Sequence, residues 1–275
     1  MHSKLDKIKL VPEGCILRNE LSSSPISKIY LCDFHEMKAV IRFDHAIASK
    51  LAIERQNEIN ILKGINHLSL GPEILYSDSQ AGIMIWKYIS GTEPNFVEDE
   101  DRPYTLRDLG SCLYSLHNFQ MPGHSIDVFS NSLALYKKLI ENPSDKLMLK
   151  KALALYDKLN KDGVRKVLSH NDLHRSNLLW DNKYYFLDWE YASMNSPYFD
   201  IASLAATFNL DNAGINILLE GYSDNFIAIN QEKLKKWISF TYYLDYLWRI
   251  SIVKLDDSYN KTMKLDEFES FLLNL

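Results

Sequence analysis

Apolar positions in the first ninety residues come in short runs. Ser27 to Asp33 (SKIYLCD) and Met37 to Phe43 (MKAVIRF) are β-prone and separated by a polar turn, which predicts a hairpin. From Ile47 to Ile65 good helix formers dominate. Glu54 and Glu58 stand four apart there, on one face of an expected helix. Gly71-Pro72 breaks that run, and Glu73 to Ser77 and Ile83 to Ile89 read as two more strands. The predicted order is strand, strand, helix, strand, strand.

Beyond Gly91 the pattern turns helical. GTEPNFVEDEDRP is an acidic, proline-containing loop. Tyr104 to Phe119 is a helix, and roughly Asn131 to Leu159 is helical with a break at Pro143. Short strands flank residues 169–193, and four more helical segments follow from about Tyr198. The expectation is an α+β chain of two lobes: a β-rich lobe over 1–90, and a larger helical lobe over 91–275. Ile89-Ser90-Gly91 joins them. A cleft at such a junction is concave and partly dry, a natural ligand site.

Composition narrows the function. The chain has 275 residues, 46% hydrophobic and 24% charged, enough for a packed core. A net charge of −5 disfavours nucleic acid as a partner. Three widely spaced cysteines with no C-x-x-C pair suit a reducing compartment. The N-terminus has no continuous apolar run and is not expected to be a signal peptide, and no stretch is apolar enough to span a bilayer. The expected location is therefore the cytoplasm. Nothing in the sequence specifies an oligomeric state.

The chemistry concentrates in SHNDLHRSNLLWDNKYYFLDWEYAS, residues 169–193. His170, Asp172 and Asn177 share a loop between apolar runs. The runs 178–180 and 184–187 form a hairpin about Asp181-Asn182, which returns Asp188 to the neighbourhood of Asn177. Two carboxylates and a carboxamide around one volume suit Mg²⁺, an oxygen-seeking ion often held by one or two carboxylates plus substrate phosphates. With Asn177 and Asp188 on the metal, Asp172 remains to take a hydroxyl proton. The spacing H-x-D-x-x-x-x-N, then a strand and D-x-E, is a phosphoryl-transfer pattern.

HNDLHRSN and LDWEYASMNSPYFDIA resemble the aminoglycoside phosphotransferase and choline/ethanolamine kinase superfamily, nearest its bacterial choline and thiamine kinases. The resemblance implies a protein-kinase-like fold with ATP as co-substrate. Asp172 would be the catalytic base, His170 an anchor of its loop, and Asn177 and Asp188 the Mg²⁺ ligands. In AVIRF, Arg42 takes the place of the basic residue that touches ATP phosphates. Glu58 is its expected partner, with Glu54 second. Ser22, Ser23 and Ser24 occupy the phosphate loop, which here has no glycine between Glu20 and Tyr30 and so restricts close backbone approach. Backbone groups of Lys87, Tyr88 and Ile89 are the expected adenine contacts.

The acceptor would be a small cationic alcohol. YLDYLWRISIVK resembles the helix that gives choline kinases an aromatic cage, where cation–π attraction holds a quaternary ammonium. Trp248 matches one cage position, with Tyr243, Tyr246 and Trp237 nearby, although core packing is the commoner fate of such a stripe. Asp245 falls where those kinases carry a second Trp, and Thr207 where they carry an acid. Glu190, Tyr191, Asp245 and Trp248 are the substrate candidates. Choline or ethanolamine comes first, then thiamine, then an aminoglycoside, for which the acidic run 98–101 offers charge. A non-catalytic pseudokinase is the alternative of another class. A protein substrate needs a docking segment for which Asp188 to Asp200 leaves little room. His174 is expected to pack within its loop, and His117 and His124 lack partners at metal-binding spacing.

Overall fold

Five antiparallel strands form the N-terminal sheet: β1 (Cys15–Ser23), β2 (Ser27–Phe34), β3 (Met37–Asp44), β4 (Ile74–Asp78) and β5 (Ile83–Lys87), in the order β1-β2-β3-β5-β4. This computed structural model describes residues 11–51, 53–96, 104–121, 127–161, 163–222 and 229–274. The acidic run 98–101 and His124 lie outside them. The β2–β3 hairpin turns through His35 and Glu36, both at positive φ, as a two-residue turn between right-twisted strands requires. Cys32, Ala39, Ile41 and Ile85 are fully buried beneath the sheet.

The sequence reading missed β1. It is an edge strand with mostly exposed residues, so it lacks the apolar alternation that betrays a half-buried strand. The helix expected over Ile47 to Ile65 is shorter. A single 3-10 turn covers Ala48–Lys50, and α1 begins at Arg55 and runs to Gly64. Ala48, Leu51 and Ile53 instead bury against Ile26, Ile252 and Met263, and that tertiary packing overrides helix propensity. Glu54 stands extended and exposed at the helix N-cap while Glu58 is buried, so the two acids do not share a helical face.

The rest is mainly helical: α2 (Leu106–His117), α3 (Val128–Leu139), α4 (Pro143–Asn160), α5 (Pro197–Thr207), α6 (Asn212–Gly221), α7 (Gln231–Leu255), α8 (Asn260–Met263) and α9 (Leu265–Leu273). Thr105 and Asp108 close a reciprocal capping box at the start of α2. Gly110 and Gly221 let α2 and α6 touch; a Cβ on Gly110 would stand 2.1 Å from the Leu218 carbonyl oxygen. Between α4 and α5 lie two small antiparallel pairs, β6 (Val167–Ser169) with β9 (Ser193–Asn195) and β7 (Leu178–Trp180) with β8 (Tyr184–Phe186). A bridge between Thr92 and Trp180 fastens the chain leaving the sheet to β7. Among the described residues, no helix is long and apolar enough to cross a membrane.

Candidate active site

The loop after β6 is pinned by its backbone. Asp200, fully buried on α5, accepts the N–H groups of His170 and Asn171, each at 2.8 Å. Asn171 adopts positive φ, which Asn tolerates better than most residues. Its side chain donates to the Tyr191 carbonyl and Ser193 Oγ, both at 2.9 Å, and accepts from Asn195 Nδ2 at 2.8 Å. The loop is thus tied to the segment that follows Asp188. His170 is fully buried against Trp189, ring centroids 4.6 Å apart. Burial holds its pKa below the ordinary imidazole value despite Asp200 and Asp172, so a neutral packing ring occupies this position.

These anchors present Asp172 to the cleft. Asn177 Nδ2 donates to Asp172 Oδ2 at 3.0 Å and to the Asp172 carbonyl at 2.9 Å. The β7–β8 hairpin then brings Leu187 N to within 2.8 Å of the Asn177 carbonyl oxygen, with Asp188 next in a left-handed conformation. His174 bonds within its own loop, its Nδ1 3.2 Å from Ser176 Oγ. It is exposed to the cleft, with Nε2 3.6 Å from Asp172 Oδ2. Burial opposes its charge, but Asp172, with Asp188 and Asp245, lifts its pKa above the ordinary value.

Behind Asp188 lies a buried charge cluster. Arg42 on β3 grips Glu58 of α1 with both terminal nitrogens, at 2.9 and 2.6 Å, and its Nη1 lies 3.4 Å from Asp188. Arg55, which the sequence reading overlooked, bonds Asp44 at 2.6 Å, Glu58 at 2.9 Å and Glu190 at 2.7 Å. An arginine three residues before Glu58, on the same helical face, was the available signal. Burial opposes ionisation of Glu58, yet Arg42 and Arg55 hold its pKa down to about 2. Desolvation lifts Asp188 to about 6 against the pull of Arg42, and desolvation with Asp188 lifts Glu190 to about 8. Two guanidinium groups face four carboxylates here. Even with Glu190 holding its proton, carboxylates outnumber guanidinium groups, and the cluster is short of positive charge.

That deficit fits a divalent cation at Asp188. Asn177 Oδ1 remains available because Nδ2 is committed to Asp172. Among the described residues no group of three His, Cys, Asp or Glu side chains forms a metal cage. An ion here would need carboxamide and phosphate oxygens, as Mg²⁺ accepts.

A cavity of about 1010 Å³ opens between the sheet and the helices, lined by Arg42, Asp172, Asn177 and Asp188 among others. It reaches Tyr88 and Ile89 at one end. The N–H groups of Lys87 and Tyr88 are already bonded to the Glu73 and Lys38 carbonyls, and the Lys87 side chain is exposed outside the cavity. The Lys87 and Tyr88 N–H groups are therefore committed, whereas the Ile89 N–H makes no backbone bond among the described residues. Ser22 and Ser24 line the cavity; Ser23 does not. Ser24 Oγ closes its own turn, accepting from Ile26 N and Ser27 N at 3.2 and 3.0 Å. The Ser24 hydroxyl is thus committed to its turn, and Ser22 lies on β1 opposite Ile29.

At the other end stand Tyr136, Tyr191, Asp245, Trp248 and Arg249. Trp248 Nε1 donates to the Tyr191 hydroxyl at 3.0 Å. Trp237, Tyr243 and Tyr246 are buried in the core and outside the cavity; packing of α7 claims them. Glu190 lines the cavity while its Oε2 accepts from Arg55 at 2.7 Å, within the charge cluster. Asp245 is likewise engaged, by Arg249, at 2.9 and 3.1 Å. Thr207 lines the cavity, with Oγ1 accepting the Arg175 N–H at 3.0 Å.

A five-stranded sheet set over a helical body, with two polar loops meeting at the cleft, is a protein-kinase-like fold. The sequence profile of the phosphotransferase enzyme family matches residues 30–236, and the chain belongs to that family. Protein LicA of Haemophilus influenzae is 28% identical over 200 residues, 70% of this chain and 58% of that protein, less than two thirds of the relative's length. The crystal structure of choline kinase LicA from Streptococcus pneumoniae superposes with a TM-score of 0.75 at 20% identity, covering 100% of this chain and 99% of that one. A structure of LicA in complex with AMP gives 0.75 at 19%, with 99% and 97% covered.

Proposed function

We propose that the protein is an ATP- and Mg²⁺-dependent kinase of a small cationic alcohol, with choline or ethanolamine as the first candidates. One observation carries this reading: Asp172, Asn177 and Asp188 line one wall of the cavity, beside the Arg42–Glu58 pair. The similarity to choline kinase LicA supports the acceptor class, and the AMP complex of a LicA structure supports a nucleotide.

Each group has a task. Asp172 accepts the hydroxyl proton as the alcohol oxygen attacks the γ-phosphorus and the bond to the bridging oxygen of ADP breaks. The Asn177 amide fixes one carboxylate oxygen and leaves the other to the substrate. Arg42, fixed by Glu58, supplies positive charge beside the phosphates. Mg²⁺ on Asn177 Oδ1 and Asp188 would neutralise phosphate charge. Ile89 would present its N–H to adenine, between a nucleotide lobe ending near residue 90 and a substrate lobe beyond. The three free thiols suit a reducing cytoplasm.

The test is ADP release with Mg²⁺-ATP across choline, ethanolamine, thiamine and kanamycin. An amino alcohol is expected to give the highest kcat/KM. Turnover with kanamycin or thiamine alone would reassign the acceptor. No turnover despite tight Mg²⁺-ATP binding would favour the pseudokinase alternative.

A further inference from the structure

The substrate end of the cavity holds one acid–base pair beside its aromatic rings. Asp245 accepts both Arg249 Nε and Nη2, and Arg249 is itself immobilised: Nη1 donates to the Met263 carbonyl at 3.1 Å, and the guanidinium lies over Phe268, 5.1 Å from the ring centroid. The Asp245 side chain keeps 42% of its surface exposed. A carboxylate has about four acceptor sites, and Arg249 takes two. Asp245 also lines the cavity.

Asp245 shares its cavity with Asp172, His174 and Tyr136. Tyr136, buried on α3, has its hydroxyl pKa raised by burial and then by Asp172 and Asp245 together, and His174 feels both acids too. A molecule seated in that cavity can meet both Asp172 and the Asp245–Arg249 pair.

We propose that Asp245, oriented by Arg249, reads the substituents on the substrate nitrogen and makes the enzyme prefer an N–H-bearing amino alcohol over its quaternary analogue. This rests on the amino-alcohol kinase reading above. A protonated primary amine donates N–H bonds to the carboxylate. A trimethylated nitrogen has no N–H and holds the acid off by the radius of its methyl groups. Because Arg249 already balances its charge, Asp245 offers directed hydrogen bonds more than bare charge. Arg249 acts as a positioning residue, since it holds the carboxylate but leaves the donors to the substrate.

The experiment measures kcat/KM for ethanolamine, its N-methyl and N,N-dimethyl derivatives, and choline, with saturating Mg²⁺-ATP. Activity is expected to fall stepwise, about tenfold or more from ethanolamine to choline. Asp245→Asn should flatten the series by raising KM for ethanolamine about tenfold, with KM for ATP unchanged as the sign of an intact fold. Should that variant fold poorly, wild-type enzyme given equimolar ethanolamine and choline decides the matter, with the two phosphorylated products resolved by phosphorus NMR. A choline preference, or a series that Asp245→Asn leaves unaltered, overturns the inference alone. No turnover of any of the four removes the amino-alcohol reading, and this inference with it.

Discussion

Asn177 points its amide nitrogen at Asp172, 3.0 Å from Oδ2. That bond sets the orientation of both side chains. It holds the carboxylate of Asp172 in one rotamer and turns Asn177 Oδ1 into the free end of the amide. The two proposed roles, proton acceptor and metal ligand, thereby fall to neighbours that stabilise each other. The separation follows from a 3-10 turn at Arg175–Asn177, which folds the chain back within five residues.

Asp172→Ala should lower kcat for the alcohol about 10²- to 10⁴-fold, the usual contribution of a positioned base. Mg²⁺-ATP affinity should stay within a few-fold of wild type, because Asp188 and Arg42 are untouched. Stopped-flow or coupled assays, paired with nucleotide titration, check both halves. Unaltered turnover would remove Asp172 as the base.

Arg42→Met should destabilise the fold. It leaves Glu58, 1% exposed, with Arg55 alone. Breaking a buried pair by removing one partner costs on the order of 3–5 kcal/mol. A double variant, Arg42→Met with Glu58→Gln, should recover much of that loss in denaturant melts while remaining inactive. Equal melting of single and double variants would mean the pair contributes little.

Stability should depend on pH through Glu58. Its folded pKa lies near 2, below the ordinary 4.5. A depressed carboxylate stabilises the fold fully above 4.5, and that stabilisation is lost as pH falls from 4.5 towards 2. Melting temperatures of wild type and Glu58→Gln, compared from pH 7 down to 3, should converge at the acid end. Parallel curves would contradict the assignment. Asp188 and Glu190 act with the opposite sign, since their raised values make stability fall as pH rises through about 6 and 8.

Much of this site was legible because its chemistry sits in one contiguous stretch. The spacing from His170 to Asn177, and the hairpin that returns Asp188, are local properties of the chain. The resemblance to the kinase superfamily pairs Arg42 with Glu58, and the structure joins them at 2.9 and 2.6 Å. Arg55, Asn171 and Asp200 escaped as structural elements of the site because their partners lie 135, 20 and 30 residues away, for example Glu190, Tyr191 and His170. Backbone commitments were equally invisible: only the strand register shows that the N–H groups of Lys87 and Tyr88 are taken. The aromatic stripe on α7 divides by face, with Trp248 in the cavity and Trp237, Tyr243 and Tyr246 in the core. Helical spacing alone could not assign those faces without the partners packed against them.

The central claim is that Asp188 and Asn177 hold a divalent ion against the nucleotide phosphates. Calorimetric titration of a non-hydrolysable ATP analogue, with and without Mg²⁺, into wild type and Asp188→Ala measures it directly. Mg²⁺ should tighten binding to wild type about tenfold or more and leave the variant nearly unaffected. The same Mg²⁺ enhancement in both proteins would contradict the account.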